Sequence, residues 1–532
     1  MSKGGQADYV VVGAGSAGCV LANRLSANPS CNVVVLEAGP KDRSVLIRMP
    51  AGFFGLMKTG MVDWGYYTEP QSYLDNRIIW WPRGKVLGGS SSVNGLVYIR
   101  GAAADFDRWA LAGNRSWSYA ECLPFFKKSE SWSGGASSHF HATSGPLQVS
   151  RMGELHPLTQ AFIDAGIELG YPSNPDFNGV GQEGFGRFDS TTGNNRRSSS
   201  SSAFVSPVVS RRNLTVLTRA HVTRVVLQNG RAVGVEYRKN GHRHSLRCDG
   251  EVILSAGSIA SPQLLQVSGI GNPDHLRSVG VEARHELQGV GQNLQDHIAM
   301  TVLTRSTEPI SLYPLTKPIR AAIALAQYML LNSGPAAASL FEAGAFVRTD
   351  PRLKEPDVQY CISRVMYCDH GRSVIHEHGY TIDFNISRPR SRGSIAIKSS
   401  DVTDRPIIQP NYLQDSDDLR ILREAVKICR EITSQNALAK YSASEFAPGS
   451  SVKTNSEIDD YIRGNAGSNY HPVGTCRMGS DQMAVVDDRL RVRGLEGLRV
   501  VDASIMPTIV SGNTNAATVM LGERGSDFIL NQ

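Results

Sequence analysis

The sequence lacks the features expected of a membrane-spanning, disulfide-linked or nucleic-acid-binding protein. Its longest apolar run, residues 321–331, is interrupted by Gln327 and is far shorter than the roughly 20 residues that a membrane span needs. Its eight cysteines show neither a Cys-x-x-Cys spacing nor a regular framework, so we expect reduced, mostly buried thiols. The net charge of +6 is spread over 532 residues, with basic residues only in short groups, so no nucleic-acid partner is expected.

The remaining composition is that of an ordinary globular protein. At 532 residues, 41% hydrophobic and 20% charged, the chain is too long for a single core, and we expect two domains in one compact body. The first eight residues run directly into an apolar strand and leave no room for a signal peptide. We therefore expect a cytoplasmic protein, with peripheral attachment to a membrane left open, that is a monomer or a homodimer.

The N-terminal region carries a nucleotide-binding fingerprint. An apolar strand leads into Gly13-Ala-Gly15-Ser-Ala-Gly18, a helix follows, and a second apolar strand ends on Glu37. Gly13 suits the tight turn, Gly15 lets the backbone approach a pyrophosphate, and Gly18 lets the helix pack on the strand. Glu37 is placed to accept hydrogen bonds from a ribose diol and would repel a 2′-phosphate. The pattern predicts a dinucleotide site for which FAD and NAD are both candidates.

Two further stretches resemble the signature patterns of a known family. One is residues 84–101, which contain a Gly-Gly-Ser-Ser-Ser run, and the other is residues 257–271, which begin Gly-Ser-Ile-Ala-Ser-Pro. With the glycine fingerprint and residues 504–515, they resemble the glucose-methanol-choline family of FAD oxidoreductases over nearly the whole chain. The resemblance implies FAD as cofactor. Val93 stands where some members carry a histidine linked to the flavin, so we expect FAD to be bound non-covalently.

The resemblance and the fingerprint together predict which residues contact FAD. The Gly-Gly-Ser-Ser-Ser run offers unobstructed backbone N–H groups, which suit a pyrophosphate or a flavin edge. The predicted set comes mainly from the fingerprint, the two signature stretches and the C-terminal segment, with Trp64 and Val222 outside them: Gly13, Gly15, Ser16, Ala17, Gly18, Glu37, Ala38, Trp64, Gly84, Gly88, Gly89, Ser92, Asn94, Gly95, Leu96, Val97, Val222, Ala256, Gly257, Asp502, Ala503, Asn515, Ala516 and Thr518.

Two C-terminal residues form the predicted catalytic pair. His471 resembles the catalytic histidine of the family, and Asn515 is assigned to the position where relatives carry a second histidine or an asparagine. Oxidation of an alcohol by hydride transfer to flavin N5 requires loss of the hydroxyl proton, which a neutral histidine can accept at pH 7. An asparagine amide can only donate a hydrogen bond to the substrate oxygen, so His471 is the sole predicted base. Asn513 is close enough in sequence to be mistaken for Asn515.

A helix is predicted just beyond Asn515, with Asn513 or Asn515 near its cap. Its N-terminal dipole would favour the negative charge that reduced flavin develops at N1 and O2.

Other conspicuous groups are given structural roles. His297 is assigned to packing, although it lies in a stretch that resembles the family. The pairs His376/His378 and His139/His141 have no third ligand at a recognisable spacing, so no metal is predicted. The serine run at 198–202 is interpreted as a solvated loop that could order as a lid near the cofactor.

The distribution of motifs predicts an α/β (α+β) protein with two discontinuous domains. Strands at 378–386 and 393–397 indicate an antiparallel sheet with flanking helices that roofs the flavin, with the substrate in the crevice between the domains. We expect a Rossmann-like FAD-binding domain from residues 1–154, 216–299 and 466–532, and a substrate domain from residues 155–215 and 300–465.

These observations predict an FAD-dependent alcohol dehydrogenase. Softer motifs, such as those at 174–179, 194–197 and 333–335, resemble bacterial L-sorbose dehydrogenases and related alcohol dehydrogenases. They imply a primary polyol oxidised to an aldehyde, with a quinone or similar electron acceptor. An oxygen-using oxidase of aryl or aliphatic alcohols and a choline-type dehydrogenase are alternatives. More distant ones are an FAD-containing lyase, a photodecarboxylase, or a binding protein that keeps FAD as a structural part.

Overall fold

Two seven-stranded sheets organise the computed structural model, which describes residues 6–151 and 153–531 apart from the side chain of His370. Each sheet has its own large apolar core. The expectation about a signal peptide depends partly on residues 1–5, which lie outside the described residues. The mixed α/β fold class is confirmed.

The first sheet is parallel at its centre and is assembled from segments far apart in sequence. Its middle strands are β-branched apolar runs that are buried on both faces, as parallel strands covered by helices require. In spatial order its strands are Leu214–Thr218, Val33–Glu37, Gln6–Val12, His242–Leu254, Arg231–Lys239 and Ala220–Gln228, with Leu498–Val500 also pairing with His242–Leu254. The last two strands in this order pair antiparallel and the others parallel.

The second sheet is antiparallel, and its residues alternate between an apolar core and a cavity. Its strands, in spatial order, are Ser442–Ala447, Ile298–Ser306, Gly379–Ile386, Val358–Ser363, Phe341–Val347 and Gly184–Arg187, with Gly467–Ser468 also pairing with Ile298–Ser306. Asp383 lies opposite Thr301 on one neighbouring strand and opposite Cys361 on the other. This register matters below, because Asp383 and Cys361 both reach the cavity.

Helices cover both sheets, and short sheets join the remaining segments. The helices are Ser16–Leu25, Val45–Arg48, Phe53–Thr59, Ala103–Leu111, Tyr119–Ser129, Pro157–Glu168, Gly257–Val267, Pro273–Ser278, Pro318–Leu331, Ser416–Ser434, Asn436–Ala439, Asn455–Asn465 and Asn515–Leu530. The short strands are Tyr66–Tyr67, Trp80–Trp81, Val97–Tyr98, Glu130–Trp132, Leu147–Arg151, Asp189–Ser190, Thr192–Gly193, Arg196–Arg197, Ile270–Gly271, His285–Glu286, Tyr367–Cys368, Ser373–Val374, Ser394–Ala396 and Ile407–Gln409.

The structure corrects two details of the sequence analysis. Ser394–Ala396 does not join the large antiparallel sheet, because it pairs instead with Ile407–Gln409 in a separate hairpin. The serine run is not a solvated loop: Ser199, Ser200 and Ser201 are buried. Among the described residues, no helix is both long and apolar enough to cross a membrane. All eight cysteines are free, and six of them are buried.

The predicted domain boundaries remain a prediction, although the two sheets draw on different parts of the chain. One strand of the second sheet, Gly184–Arg187, precedes the first-sheet strand Leu214–Thr218 in sequence. The other strands of the second sheet lie between Ile298 and Ser468. Two of the described strands, Leu214–Thr218 and Ile298–Ser306, each cross a predicted boundary by two residues.

Candidate active site

A cavity lies between the carboxyl ends of the central parallel strands and the second sheet. Most residues predicted to contact a dinucleotide line it, although they come from segments far apart in the sequence. These residues are Gly13, Gly15, Ser16, Ala17, Glu37, Ala38, Trp64, Gly84, Gly89, Asn94, Gly95, Leu96, Val97, Val222, Ala256, Gly257, Asp502, Ala503, Asn515 and Thr518.

Four predicted contact residues lie behind the cavity wall. Gly18 packs against Gly13, where a Cβ atom would come within 2.0 Å of the Gly13 carbonyl oxygen, so its role is to let helix and strand meet. Gly88 has a φ of +90°, and Ser92 donates a hydrogen bond to the Leu87 carbonyl, 2.8 Å away. Ala516 is buried in its helix.

Helix N-termini supply the donors that an anionic cofactor requires. The helices Ser16–Leu25 and Asn515–Leu530 both begin at the cavity, and neither receives a hydrogen bond from the side chain of its N-cap residue. Gly89 comes so close to Gly15 that a Cβ atom there would lie 2.7 Å from the Gly15 Cα. Free N–H groups and the helix dipole favour a phosphate at such a position. The residues present therefore fit a pyrophosphate.

Glu37 is positioned by the turns on either side of the strand end. Its carboxylate accepts hydrogen bonds from the N–H groups of Ala14, at 2.9 Å, and Gly39, at 2.7 Å. Burial raises the pKa of Glu37 to about 7, although these two bonds lower it. Each oxygen retains a second lone pair, so the carboxylate can still accept hydrogen bonds from a ribose diol.

The backbone around His471 is held by a buried carboxylate. Asp296 accepts a hydrogen bond from the His471 N–H at 2.6 Å, and it also accepts bonds from the hydroxyls of Ser468 and Tyr412. The preceding residue, Tyr470, has a φ of +64°, which is uncommon for a bulky residue. Strain of this kind persists only where the surroundings enforce it, and it is concentrated at functional sites.

A second histidine determines how His471 is protonated. The ring of His297 lies perpendicular to that of His471, and their Nδ1 atoms are 2.9 Å apart. His297 Nε2 is 3.1 Å from the carbonyl oxygen of Ser387, which can only accept, so Nε2 carries the hydrogen. Neutral His297 therefore has its lone pair on Nδ1 and accepts the Nδ1–H of His471. The lone pair of His471 is consequently on Nε2, facing the cavity.

Both histidines are neutral at pH 7. Burial lowers the pKa of His471 well below its ordinary value of 6.5, and the nearby His297 and Arg83 lower it further. Burial likewise lowers the pKa of His297 to about 4. His471 is therefore available as a proton acceptor over the whole neutral pH range.

Asn513, and not Asn515, lies beside His471. The Asn513 Nδ2 atom is 3.4 Å from His471 Nε2, and its Oδ1 accepts a hydrogen bond of 3.2 Å from Gln359. The second bond orients the amide so that its N–H groups face the histidine. Asn515 is the first residue of its helix, and its side chain accepts a hydrogen bond of 2.7 Å from Ser16 on the cofactor side. The pairing of His471 with Asn515 expected from the sequence is thus corrected.

The opposite wall of the cavity is aromatic and carries one carboxyl group. Phe53, Phe341, Tyr367 and Tyr470 line it together with Asp383. Burial raises the pKa of Asp383 to about 7, and no positive charge offsets the shift. The structure gives Asp383 no hydrogen-bond or ion-pair partner among the described residues.

Other groups singled out from the sequence have structural positions. The described residues contain no group of three or more side chains that could hold a metal ion. His141 is instead stacked on Trp132 and lies between Glu130 and Asp176. Arg197, just before the serine run, is buried and donates to Asn94 in the signature loop, so this run is anchored at the site.

Sequence reasoning missed His297, Asp296 and Asp383 as site residues. His297 and Asp296 are adjacent in a Gln-Asp-His stretch that had been noted, but pairing with His471 depends on a contact across 174 residues. Asp383 gave a weaker signal, as the single charged residue of the strand Gly379–Ile386. Such a residue is costly to bury without a role.

The chain is similar in sequence to known proteins over nearly its whole length. Sequence profiles described as GMC oxidoreductase match residues 7–299 and 389–522. Choline dehydrogenase, mitochondrial, of Homo sapiens is 45% identical over 98% of this chain and 90% of its own length. Alcohol dehydrogenase [acceptor] of Pseudomonas putida is 44% identical over 98% of this chain and 95% of its own length.

Two solved structures are similar in fold over nearly the whole chain. Pyridoxine 4-oxidase from Mesorbium loti superposes with a TM-score of 0.90 at 32% identity, covering 99% of each chain. Formate oxidase superposes with a TM-score of 0.94 at 25% identity, covering 100% of this chain and 99% of the other.

Proposed function

Because the chain belongs to the GMC oxidoreductase family, we propose that it oxidises a primary alcohol to the aldehyde, with His471 as the base. The observation that carries this proposal is the contact between the Nδ1 atoms of His297 and His471 at 2.9 Å. It leaves the His471 lone pair on Nε2, in the cavity and within 3.4 Å of an amide donor.

The two side chains complement each other toward a hydroxyl group. His471 Nε2 accepts the hydroxyl proton, and Asn513 Nδ2 donates a hydrogen bond to the oxygen, on which negative charge develops as the proton leaves. Proton removal makes the carbinol carbon a much better hydride donor. Asp296 holds the His471 backbone and Gln359 holds the Asn513 amide, so both groups are oriented before substrate binds.

FAD fits the remainder of the cavity. The helix N-termini at Ser16 and Asn515 suit the pyrophosphate and flavin, and Glu37 suits the ribose diol. When bound, FAD supplies the two-electron acceptor for the carbinol C–H. Val93 lines the cavity with a side chain that has no nucleophilic atom, which supports non-covalent binding.

We propose a quinone or similar compound as the final electron acceptor. The similarity to the Pseudomonas putida alcohol dehydrogenase [acceptor] supports this assignment. The similarity in fold to pyridoxine 4-oxidase supports oxygen as the alternative acceptor.

The aromatic wall and Asp383 favour an alcohol that carries a positive charge. A cation would replace the missing counter-ion of Asp383 and would be attracted to the faces of the surrounding rings. A polyol such as L-sorbose, the substrate class predicted from the softer motifs, would require several polar partners on this wall. The similarity to human choline dehydrogenase supports the cationic class.

Anaerobic flavin reduction tests these assignments. The FAD-loaded protein is mixed with choline, with its uncharged analogue 3,3-dimethylbutan-1-ol, with L-sorbose and with benzyl alcohol, and the flavin absorbance is followed. We expect choline to bleach the flavin fastest, and a soluble quinone to restore absorbance faster than air does. If L-sorbose bleached the flavin faster than choline, the substrate would be a polyol and not a cationic alcohol. Absence of bleaching by any alcohol would contradict the proposed function.

A further inference from the structure

The helix Pro318–Leu331 has an apolar surface on the side that faces away from the protein. An ordinary surface helix is apolar toward the core and polar toward solvent. Of the sixteen large hydrophobic side chains exposed among the described residues, five lie on this helix: Ile319 at 77%, Ile323 at 62%, Met329 at 66%, Leu330 at 82% and Leu331 at 69%.

Three of the exposed side chains form the centre of one face, Met329 and Leu331 flank it, and the helix is fixed to the protein by the opposite side. Ile319, Ile323 and Leu330 are spaced by four and seven residues, which places them on the same side. On the inner side Ala324 and Tyr328 are buried, and the Tyr328 hydroxyl donates to the Arg48 carbonyl at 3.2 Å. The apolar face is therefore presented by a well-packed helix.

The charged residues on this helix and on the segments that contact it near Tyr328 are positive. Between Glu308 and Glu342 the chain contains no acidic residue, while Lys317 and Arg320 are exposed at the start of the helix. Arg48 and Arg196, on neighbouring segments, are also exposed, and both carry positive charge close enough to act on Tyr328. An apolar face surrounded by cations is complementary to a bilayer surface that contains anionic phospholipids.

The composition of the face distinguishes a bilayer from a protein partner. Protein interfaces are enriched in tyrosine, tryptophan and arginine at their centres, whereas the centre of this face is entirely aliphatic. With 14 residues the helix is about 21 Å long, too short to cross a hydrocarbon core of about 30 Å. We propose that Pro318–Leu331 lies in the plane of an anionic phospholipid bilayer and docks the protein on its surface.

Docking in this orientation brings the bilayer close to the substrate side of the cavity. Ala336, just after the helix, packs with Tyr328 and Met49 in one apolar cluster. The chain continues from these segments to Phe53 and Phe341, which line the cavity with ring centroids 6.5 Å apart. A lipid-dissolved electron acceptor would thus be concentrated beside this wall.

Vesicle binding tests the proposal with the full-length FAD-loaded protein. Sedimentation is measured with phosphatidylcholine vesicles that contain phosphatidylglycerol, and with phosphatidylcholine alone. We expect binding to the anionic vesicles, weakened by salt. The double variant Ile323→Asp with Leu330→Asp should lower the affinity by at least about tenfold, because each change removes a buried aliphatic group from the lipid. Oxidation of an alcohol with a water-soluble dye as acceptor should stay at the native rate.

Matched variants separate docking from general surface effects. Leu111→Asp, at a residue 87% exposed on another helix, should bind vesicles as the native protein does. Lys317→Glu with Arg320→Glu should weaken binding to anionic vesicles, because it removes the attraction to the headgroups. Failure of the native protein to sediment, or equal loss in Leu111→Asp, would overturn the proposal. So would light scattering that shows a native dimer converted to a monomer by the double aspartate variant.

Discussion

His297→Leu should slow alcohol oxidation, although residue 297 does not line the cavity. Among the described residues, His297 is the only acceptor for the Nδ1–H of His471, at 2.9 Å, and the substitution removes it. A buried donor left unsatisfied costs about 1 to 3 kcal/mol. Neutral His471 can avoid that cost by moving its hydrogen to Nε2, and this tautomer cannot accept the substrate proton. Because about 1.4 kcal/mol corresponds to a tenfold change in rate, we expect flavin reduction to slow by about 10- to 100-fold.

His297→Asn is the matched control. The Oδ1 atom of asparagine can occupy nearly the position of the histidine Nδ1 and can accept the same hydrogen bond. We expect its rate of anaerobic flavin reduction, measured by stopped flow with the best alcohol, to be much closer to native than that of His297→Leu. FAD content and melting temperature are measured for both variants. If the asparagine variant is as slow as the leucine variant, or if neither is slower than native, the tautomer assignment is wrong.

Three further predictions concern the cavity wall and stability. Asn513→Ala should slow flavin reduction by about 10- to 100-fold, because a hydrogen bond to a charged oxygen contributes about 1.5 to 3 kcal/mol, whereas Asn515→Ala should mainly lower FAD content. The reverse pattern would show that Asn515, and not Asn513, acts with His471. The KM for choline should rise as pH falls through about 7, because Asp383 becomes protonated, and Asp383→Asn should abolish this dependence; a native KM independent of pH would contradict the cation assignment. Burial lowers the pKa of His297 from 6.5 to about 4, so between these pH values the folded state binds fewer protons than the unfolded state. The free energy of unfolding should therefore fall by about 3 kcal/mol as pH falls from 6.5 to 4. Urea unfolding of His297→Leu should therefore show a weaker pH dependence in this window than native protein, and an equal dependence would contradict the shift.

The nucleotide half of the site could be predicted because it depends on local sequence. A glycine needed for a tight turn or a close approach, and an acid at a strand end, keep their spacing whatever the rest of the chain does. Gly15 and Glu37 accordingly line the cavity as expected.

The catalytic half depends on contacts that no local pattern encodes. Asn513 and Asn515 differ by two residues, and only the start of the helix at Asn515 decides which side chain faces His471. The role of His297 arises because a strand of the second sheet brings it against a loop 174 residues away. The outward apolar face of Pro318–Leu331 was visible only as a short apolar run, since a sequence does not show which face a helix buries.

The most direct test of the account is the rate of anaerobic flavin reduction in His471→Ala. A positioned general base contributes about 10²- to 10⁴-fold, so the rate should fall by about this factor while FAD content stays native. At saturating alcohol, the native rate should be nearly constant between pH 6 and pH 9, since burial holds the pKa of His471 well below 6.5. A His471→Ala rate within about threefold of native, with FAD bound, would contradict the assignment of His471 as the base.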